Sequence, residues 1–333
     1  MDLSLFFAGT AGSVPSARRG LPALLIRRGA QRILVDCGEG TQRQLIRSVG
    51  LTDLTDIFIT HMHADHWLGL PGMLKSFELR DRERPLTVHG PPGMIALLER
   101  MRAVYGRPRY GLTLRELETG EAVRRDDLEI VPFAVRHRGV AYGYAFVEDA
   151  RPGRFDAKLA EQLGVAPGPD FGRLQRGEVV GGVHPEQVVG AARRGRKVVV
   201  SGDTAPTDAV LGAADRADVL VHEATFLEED ADRAALTGHS TAHQAARTAA
   251  EAGVGLLALT HLSSRYFGGH VGDEACQTFA NTEIPADFDT IEVPFAERGV
   301  PELFRWDKQA QAPEAEARSR RRPLATGQQT YDS

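Results

Sequence analysis

Residues 57–72 place four metal-ligand side chains directly behind a strand of buried type. The apolar run Ile57-Phe58-Ile59 stops at Thr60, and His61, His63, Asp65 and His66 follow within six residues. His61 and His63 are two apart, so in a still-extended chain they point to the same side. Asp65 and His66 come where Leu68-Gly69-Leu70 turns the chain into a helix, adding a carboxylate and a third imidazole. Neutral imidazole and carboxylate suit zinc and neighbouring divalent transition metals, and no thiolate is present here to suggest a closed structural site. A merely solvated loop with scattered histidines would not concentrate three of them and an aspartate at one strand end.

At 333 residues the chain can form one large domain or two, with ample length to bury a core. No basic leader precedes an apolar core, and no run of 18 apolar residues occurs, so neither export nor a membrane span is expected. Cys37 and Cys276 are too few for a disulfide framework, which favours reduced thiols and a cytoplasmic setting. A net charge of −5 gives no global basic surface. Local clusters do exist: Arg18-Arg19, Arg27-Arg28 and Arg32 early, and Arg320-Arg321-Arg322 near the end. Such runs are usually solvated faces.

Taken in order, residues 3–7 read as a strand, and 22–26 with 32–35 as a hairpin around Arg28-Gly29-Ala30. Residues 42–49 and 68–79 follow as helices, 86–90 as a strand, and 93–105 as a helix opened by Pro91-Pro92. Residues 128–135 and 142–147 are further strands. The stretch 150–182 breaks this rhythm with Pro152-Gly153, Pro167-Gly168-Pro169, Lys158, Arg173 and Arg176. Its low apolar content predicts an insertion projecting from the body. Short apolar strands then recur at 197–200, 219–221 and 256–259, each with polar residues at its C-terminal tip. A helix over 240–252 is capped by Ser240 or Thr241. The expected architecture is α/β, two sheets in the middle and helices outside. The polar stretch 313–333 reads as a disordered tail.

Strand tips supply further donors. His137 follows the 128–135 strand, Asp203 ends the 197–200 strand, and His261 ends the 256–259 strand. With the motif residues these make seven ligands for two ions: His61, His63 and His137 on one, Asp65, His66 and His261 on the other. Asp203 would bridge, because a carboxylate has two oxygens to offer.

His61-Met62-His63-Ala64-Asp65-His66 resembles the HxHxDH signature of the metallo-β-lactamase superfamily, which implies an αββα sandwich with two mixed sheets flanked by helices. Within that superfamily the chain looks like the ribonuclease Z family, the tRNA 3′-processing endoribonucleases, in its short form. The matching stretches are Phe7 to Pro15, Asp36 to Gln42, His61 to Gly69, Ser201-Gly202-Asp203-Thr204, His222-Glu223-Ala224-Thr225, His239-Ser240-Thr241 and His261 to Tyr266. The resemblance covers roughly 1–300. It implies a catalytic domain over 1–306, with 150–182 as an inserted flexible arm that clasps tRNA. One departure is the loop Pro15 to Gly20, which only partly follows the family's PxKxRN pattern that bears on cleavage position.

The resemblance further implies a cytoplasmic homodimer that carries two zinc ions per subunit, with manganese or another divalent ion as alternative, and cuts precursor tRNA after the discriminator nucleotide. Two ions roughly 3.5–4 Å apart lower the pKa of a water and neutralise charge on the phosphate. Asp65 would orient the nucleophile. His239, held by Glu223, would protonate the leaving oxygen. His222 is expected to orient a loop rather than bind metal, and Arg265 to meet a phosphate. Two readings compete. A small-molecule hydrolase such as a phosphodiesterase, arylsulfatase or lactonase shares the ligands but needs no projecting arm. An RNA-binding module with a degenerate site is disfavoured because no ligand position is missing.

Overall fold

Period-two alternation along the first strand already defines two faces. In the computed structural model, which describes residues 2–51 and 53–306, β1 (Leu3–Gly9) turns Leu3, Leu5 and Phe7 one way and Phe6 and Ala8 the other, each set into a different hydrophobic cluster. β2 (Ala23–Arg28), β3 (Gln31–Val35), β4 (Asp56–Phe58), β5 (Leu86–Gly90) and β6 (Leu112–Glu116) extend this sheet. The second sheet contains β7 (Val123–Arg125), β8 (Leu128–Ala134), β9 (Tyr142–Glu148), β10 (Lys197–Val200), β11 (Val219–Glu223), β12 (Leu256–Thr260) and β13 (Thr282–Glu283). β14 (Thr290–Glu292) and β15 (Glu302–Phe304) return to the first sheet, whose order is β15-β14-β1-β2-β3-β4-β5-β6. The second runs β13-β12-β11-β10-β9-β8-β7.

The inner faces share one core, in which Leu5, Phe7, Ile33 and Phe58 meet Tyr144, Phe146, Val198 and Val221. The outer face of the first sheet packs on helices Thr41–Arg47, Leu70–Leu79 and Met94–Arg100. The outer face of the second packs on Asp208–Ala214, Ala242–Ala252 and Gly268–Cys276. This is the expected αββα sandwich.

Local chemistry explains the elements. The β2–β3 hairpin pairs Arg28 with Gln31 across Gly29 and Ala30, as anticipated. Thr241, not Ser240, caps the alanine-rich helix, through a capping box with Gln244. Pro91 and Pro92 lie ahead of the following helix rather than in its first turn, because Gly93 at φ 94° is its N-cap. That helix ends at Arg100, and Arg102–Tyr105 forms a separate turn.

Two of the early arginines turn inward, while Arg18 stays exposed. Arg28 is buried, donating to Glu148 at 2.6 Å, and Arg19 is turned inward onto Thr10 and the Pro285 carbonyl. The insertion is also unlike a loop of low apolar content. Its helices Ala157–Gln162, Pro169–Gln175 and Pro185–Val188 close over Ala160, Val165, Leu174, Val180, Val183 and Val188 as a small core of their own. The segments leading in and out, at 151–155 and 189–193, are bridged to each other at Arg151–Arg193 and Phe155–Val189, so the folded unit extends beyond 150–182. Arg173 and Arg176 are engaged by Asp170 and Glu178, while Lys158 is exposed. The tail 313–333, with Arg320-Arg321-Arg322, lies outside the described residues. Among the described residues no helix is long and apolar enough to cross a membrane.

Candidate metal centre

The site forms where the carboxyl ends of parallel strands in both sheets meet. β4 runs into Ile59 and Thr60, whose carbonyls accept from Tyr144 Oη at 2.8 Å and Tyr142 N at 2.9 Å in the opposite sheet. These bonds hold His61 at the seam, where it pairs with Ala141. The chain then enters the short helix Ala64–Trp67, which carries Asp65 and His66. From the second sheet, β8 leads to His137, β10 to Asp203 and β12 to His261. Gly202 permits this placement: it sits at φ 61°, and a Cβ there would lie 2.9 Å from the Tyr142 carbonyl oxygen.

All seven predicted donors converge. His61, His63, His137 and Asp203 form one group, and Asp65, His66 and His261 another, with the donor atoms of each within 4.8 Å of one another. Asp203 Oδ2 is the common centre, 3.7 Å from His61 Nε2, 4.0 Å from His137 Nε2, 3.4 Å from His66 Nε2 and 3.2 Å from His261 Nε2. His63 Nδ1 stands 2.9 Å from His61 Nε2 and 3.1 Å from His137 Nε2. Asp65 Oδ2 is 3.5 Å from His66 Nε2 and 3.4 Å from His261 Nε2. Ligands about 2.1 Å from a tetrahedral centre stand about 3.4 Å apart, so these separations are those of donors around ions. His66 Nε2 is buried without a hydrogen bond, another mark of a ligand atom.

The outer nitrogens fix the tautomers. His66 Nδ1 donates to Asp36 Oδ2 at 2.7 Å, His137 Nδ1 to the Gly238 carbonyl at 2.8 Å, and His261 Nδ1 to Thr225 Oγ1 at 2.9 Å. His61 Nδ1 donates to Thr60 Oγ1 at 3.1 Å, and that hydroxyl donates to Asp36 Oδ2 at 2.9 Å. Each of these imidazoles therefore presents an Nε2 lone pair to the cluster. Burial drives the His61 affinity for a proton well down, and lowers those of His63 and His137 as well. At His66 burial also opposes charge, but Asp203 and Asp36 outweigh it and raise the pKa well above the usual value. The same negative field attracts a divalent cation.

Two residues of this scaffold had no role assigned from sequence. Asp36, at the tip of β3 with φ 59°, orients His66 and binds Thr60 N at 2.8 Å. Thr225 links His261 to Glu223, accepting from the first and donating to the second. Asp36 carried the one available signal, a carboxylate at the end of an apolar strand. For Thr225 there was none beyond its place in the resembling stretch.

Glu223 and His239 sit at the rim. Glu223 ends β11, is buried, and accepts from Thr204 N at 2.7 Å and His239 Nδ1 at 2.8 Å. His239 is also 3.9 Å from Asp203 Oδ2. Burial opposes its protonation, yet Glu223 and Asp203 push its pKa up to about 9. His222 stays out of the cluster and donates to the Glu223 carbonyl at 2.7 Å. Arg265 lines an open cleft of about 490 Å³ with Ala11, Arg18, Tyr266 and Phe267.

An αββα sandwich with this His/Asp cluster at its strand ends defines a metallo-β-lactamase-fold protein, and the model of the metallo-beta-lactamase superfamily matches residues 22–261. A crystal structure of YhfI from Bacillus subtilis shares the fold at TM-score 0.67 and 19% identity, covering 88% of this chain and 100% of that one. At sequence level the match is narrower. Ribonuclease Z of Natronomonas pharaonis is 45% identical over 305 residues, 89% of this chain and 99% of that protein. Ribonuclease Z of Gemmatimonas aurantiaca is 44% identical over 307 residues, covering 89% and 98%. Human tRNase Z, short form, superposes at TM-score 0.65 with 26% identity, covering 87% and 99%. The chain belongs to the ribonuclease Z family. A divalent metal is its cofactor class.

Proposed function

We propose that this chain is a metal-dependent endoribonuclease that removes 3′ trailers from precursor tRNA. It would hydrolyse the phosphodiester after the discriminator nucleotide to leave a tRNA 3′-hydroxyl and a 5′-phosphate trailer. The observation that carries this reading is a complete donor cluster, with the Glu223–His239 pair at its rim, in a chain 45% identical to a ribonuclease Z along 89% of its length.

His61, His63 and His137 would hold one zinc ion and Asp65, His66 and His261 a second, with Asp203 shared. The ions would supply Lewis acidity, lowering the pKa of a water and neutralising charge on the phosphate. Asp65 stays ionised: burial would raise its pKa, but His261 and His66 hold it well below the usual carboxylate range. Its Oδ2 already accepts from Ser13 N at 2.9 Å, and the carboxylate orients the attacking water. Because His239 Nδ1 is committed to Glu223, Nε2 is the atom free to give a proton to the leaving oxygen. Positive charge in the cluster would lower the His239 pKa from about 9 toward the working range. The arm at 151–193 is read as the tRNA-binding exosite. The homodimeric, cytoplasmic state implied by the family belongs to the same proposal.

The test is incubation of metal-loaded protein with a labelled precursor tRNA lacking CCA, with ends mapped to one nucleotide. A single cut after the discriminator is expected. It should vanish in Asp65→Ala, which should still bind tRNA. Intact RNA with bis-(p-nitrophenyl) phosphate still hydrolysed would instead place the chain among small-substrate phosphodiesterases.

A further inference from the structure

The arm is joined to the body by its stalk. Among the described residues, no hydrogen bond or ion pair links 154–190 to anything outside 151–193. Arg151 and Arg193 exchange backbone hydrogen bonds of 2.7 and 2.8 Å at the root, and Gly190 N donates to the Arg154 carbonyl at 2.9 Å. The two stalk segments approach so closely that a Cβ on Gly153 would stand 1.8 Å from the Gly190 carbonyl oxygen.

Both root arginines turn to one carboxylate. Arg151 forks onto Glu297, Nη1 to Oε1 at 2.9 Å and Nη2 to Oε2 at 3.0 Å, and Arg193 Nη1 adds a bond to Oε1 at 2.9 Å. The Arg151 guanidinium also lies over the Phe295 ring, 3.4 Å from its centroid, and Arg196 lies 4.0 Å from the same centroid. Arg196 donates to the Val293 carbonyl at 2.9 Å and is clasped by buried Glu148. Glu297 and Phe295 lie in the connection between β14 and β15 of the first sheet, whereas the stalk leaves and re-enters the second sheet between β9 and β10. The root is thus gripped from the opposite half of the sandwich. Bidentate, planar contacts of this kind fix angle as well as distance.

We infer that Glu297 and Phe295 form a clamp that sets the direction of the arm relative to the metal centre, making them positioning residues for the RNA body bound by that arm. The functional half rests on the arm binding tRNA. A mispositioned arm costs pre-organisation in substrate binding, and the chemistry at the metal centre is untouched.

Glu297→Gln and, independently, Arg193→Gln test this in the full-length protein. With Cys276→Ser removing the exposed thiol, spin labels at Lys158→Cys on the arm and at Thr119→Cys, an exposed position of the body between β6 and β7, report the arm-to-body distance. The distribution should broaden in both variants while the unfolding temperature stays unchanged. KM for precursor tRNA should rise about tenfold, with kcat and bis-(p-nitrophenyl) phosphate hydrolysis unaltered. An unchanged distribution in both variants overturns the clamp. A shortened stalk lacking 155–188 separates the two claims. If that deletion raises KM but the clamp variants do not, the clamp has no role in binding. If the deletion itself leaves KM unaltered, it is the reading of the arm as exosite that fails.

Discussion

His239, the proposed general acid, would acquire that role from its partner. Its Nδ1 is tied to buried Glu223, and although burial opposes its protonation, Glu223 and Asp203 lift its pKa to about 9, which favours the protonated form an acid needs. A general acid of this kind contributes about 10²–10⁴-fold. His239→Ala should lower kcat by that order and remove the alkaline limb of the pH–rate profile. Glu223→Gln removes the charge that raises the His239 pKa, so activity should be lost at lower pH as pH rises; a pH profile of kcat checks the direction. Asp36→Asn leaves the ligands in place but deprives His66 of its carboxylate, and metal affinity should fall about 10–100-fold in a chelator competition. The seven donors were legible because ligand chemistry recurs at strand tips. Asp36 and Thr225 were not, since a hydrogen bond across 30 or 36 residues depends on how the strands assemble.

Strands such as Leu3–Gly9 and Lys197–Val200 were legible at the scale of elements because a strand buried on both faces reads as a short continuous apolar run. The short strands at 112–116, 123–125, 282–283, 290–292 and 302–304 carry no such run and were not anticipated. The insertion was harder. Its apolar residues, from Ala160 to Val188, are too scattered for any window to show a period, and they cohere only when three short helices close on each other. Buried charge was equally hidden. Glu148 lies between Arg28 and Arg196, which overcome the penalty of burial and hold its carboxyl at about 2 against an ordinary 4.5. The folded pKa is below the unfolded one, so this stability is complete above about pH 4.5 and is lost as pH falls toward 2. Glu148→Ala should cost about 3 kcal/mol at neutral pH, the low end for breaking a buried ion pair, because Arg28 and Arg196 lose the bonds Glu148 accepts while Arg28 keeps Asp127 at 2.6 Å. Urea unfolding at pH 7 and pH 3 should show that difference narrowing at the lower pH.

For the whole molecule, the centre joins the two halves of the sandwich. His61, His63, Asp65 and His66 come from the first sheet, and His137, Asp203 and His261 from the second. Ions bound there would staple the sheets, and a ligand at 100 times its Kd adds about 2.7 kcal/mol. Chelation should therefore lower the calorimetric unfolding temperature, and zinc should restore it. The most direct measurement is titration of the metal-free protein with zinc while following cleavage of precursor tRNA at single-nucleotide resolution. Cleavage after the discriminator should grow to a plateau at two equivalents per chain. Full activity at one equivalent, or cleavage that persists in excess chelator, would contradict a binuclear mechanism.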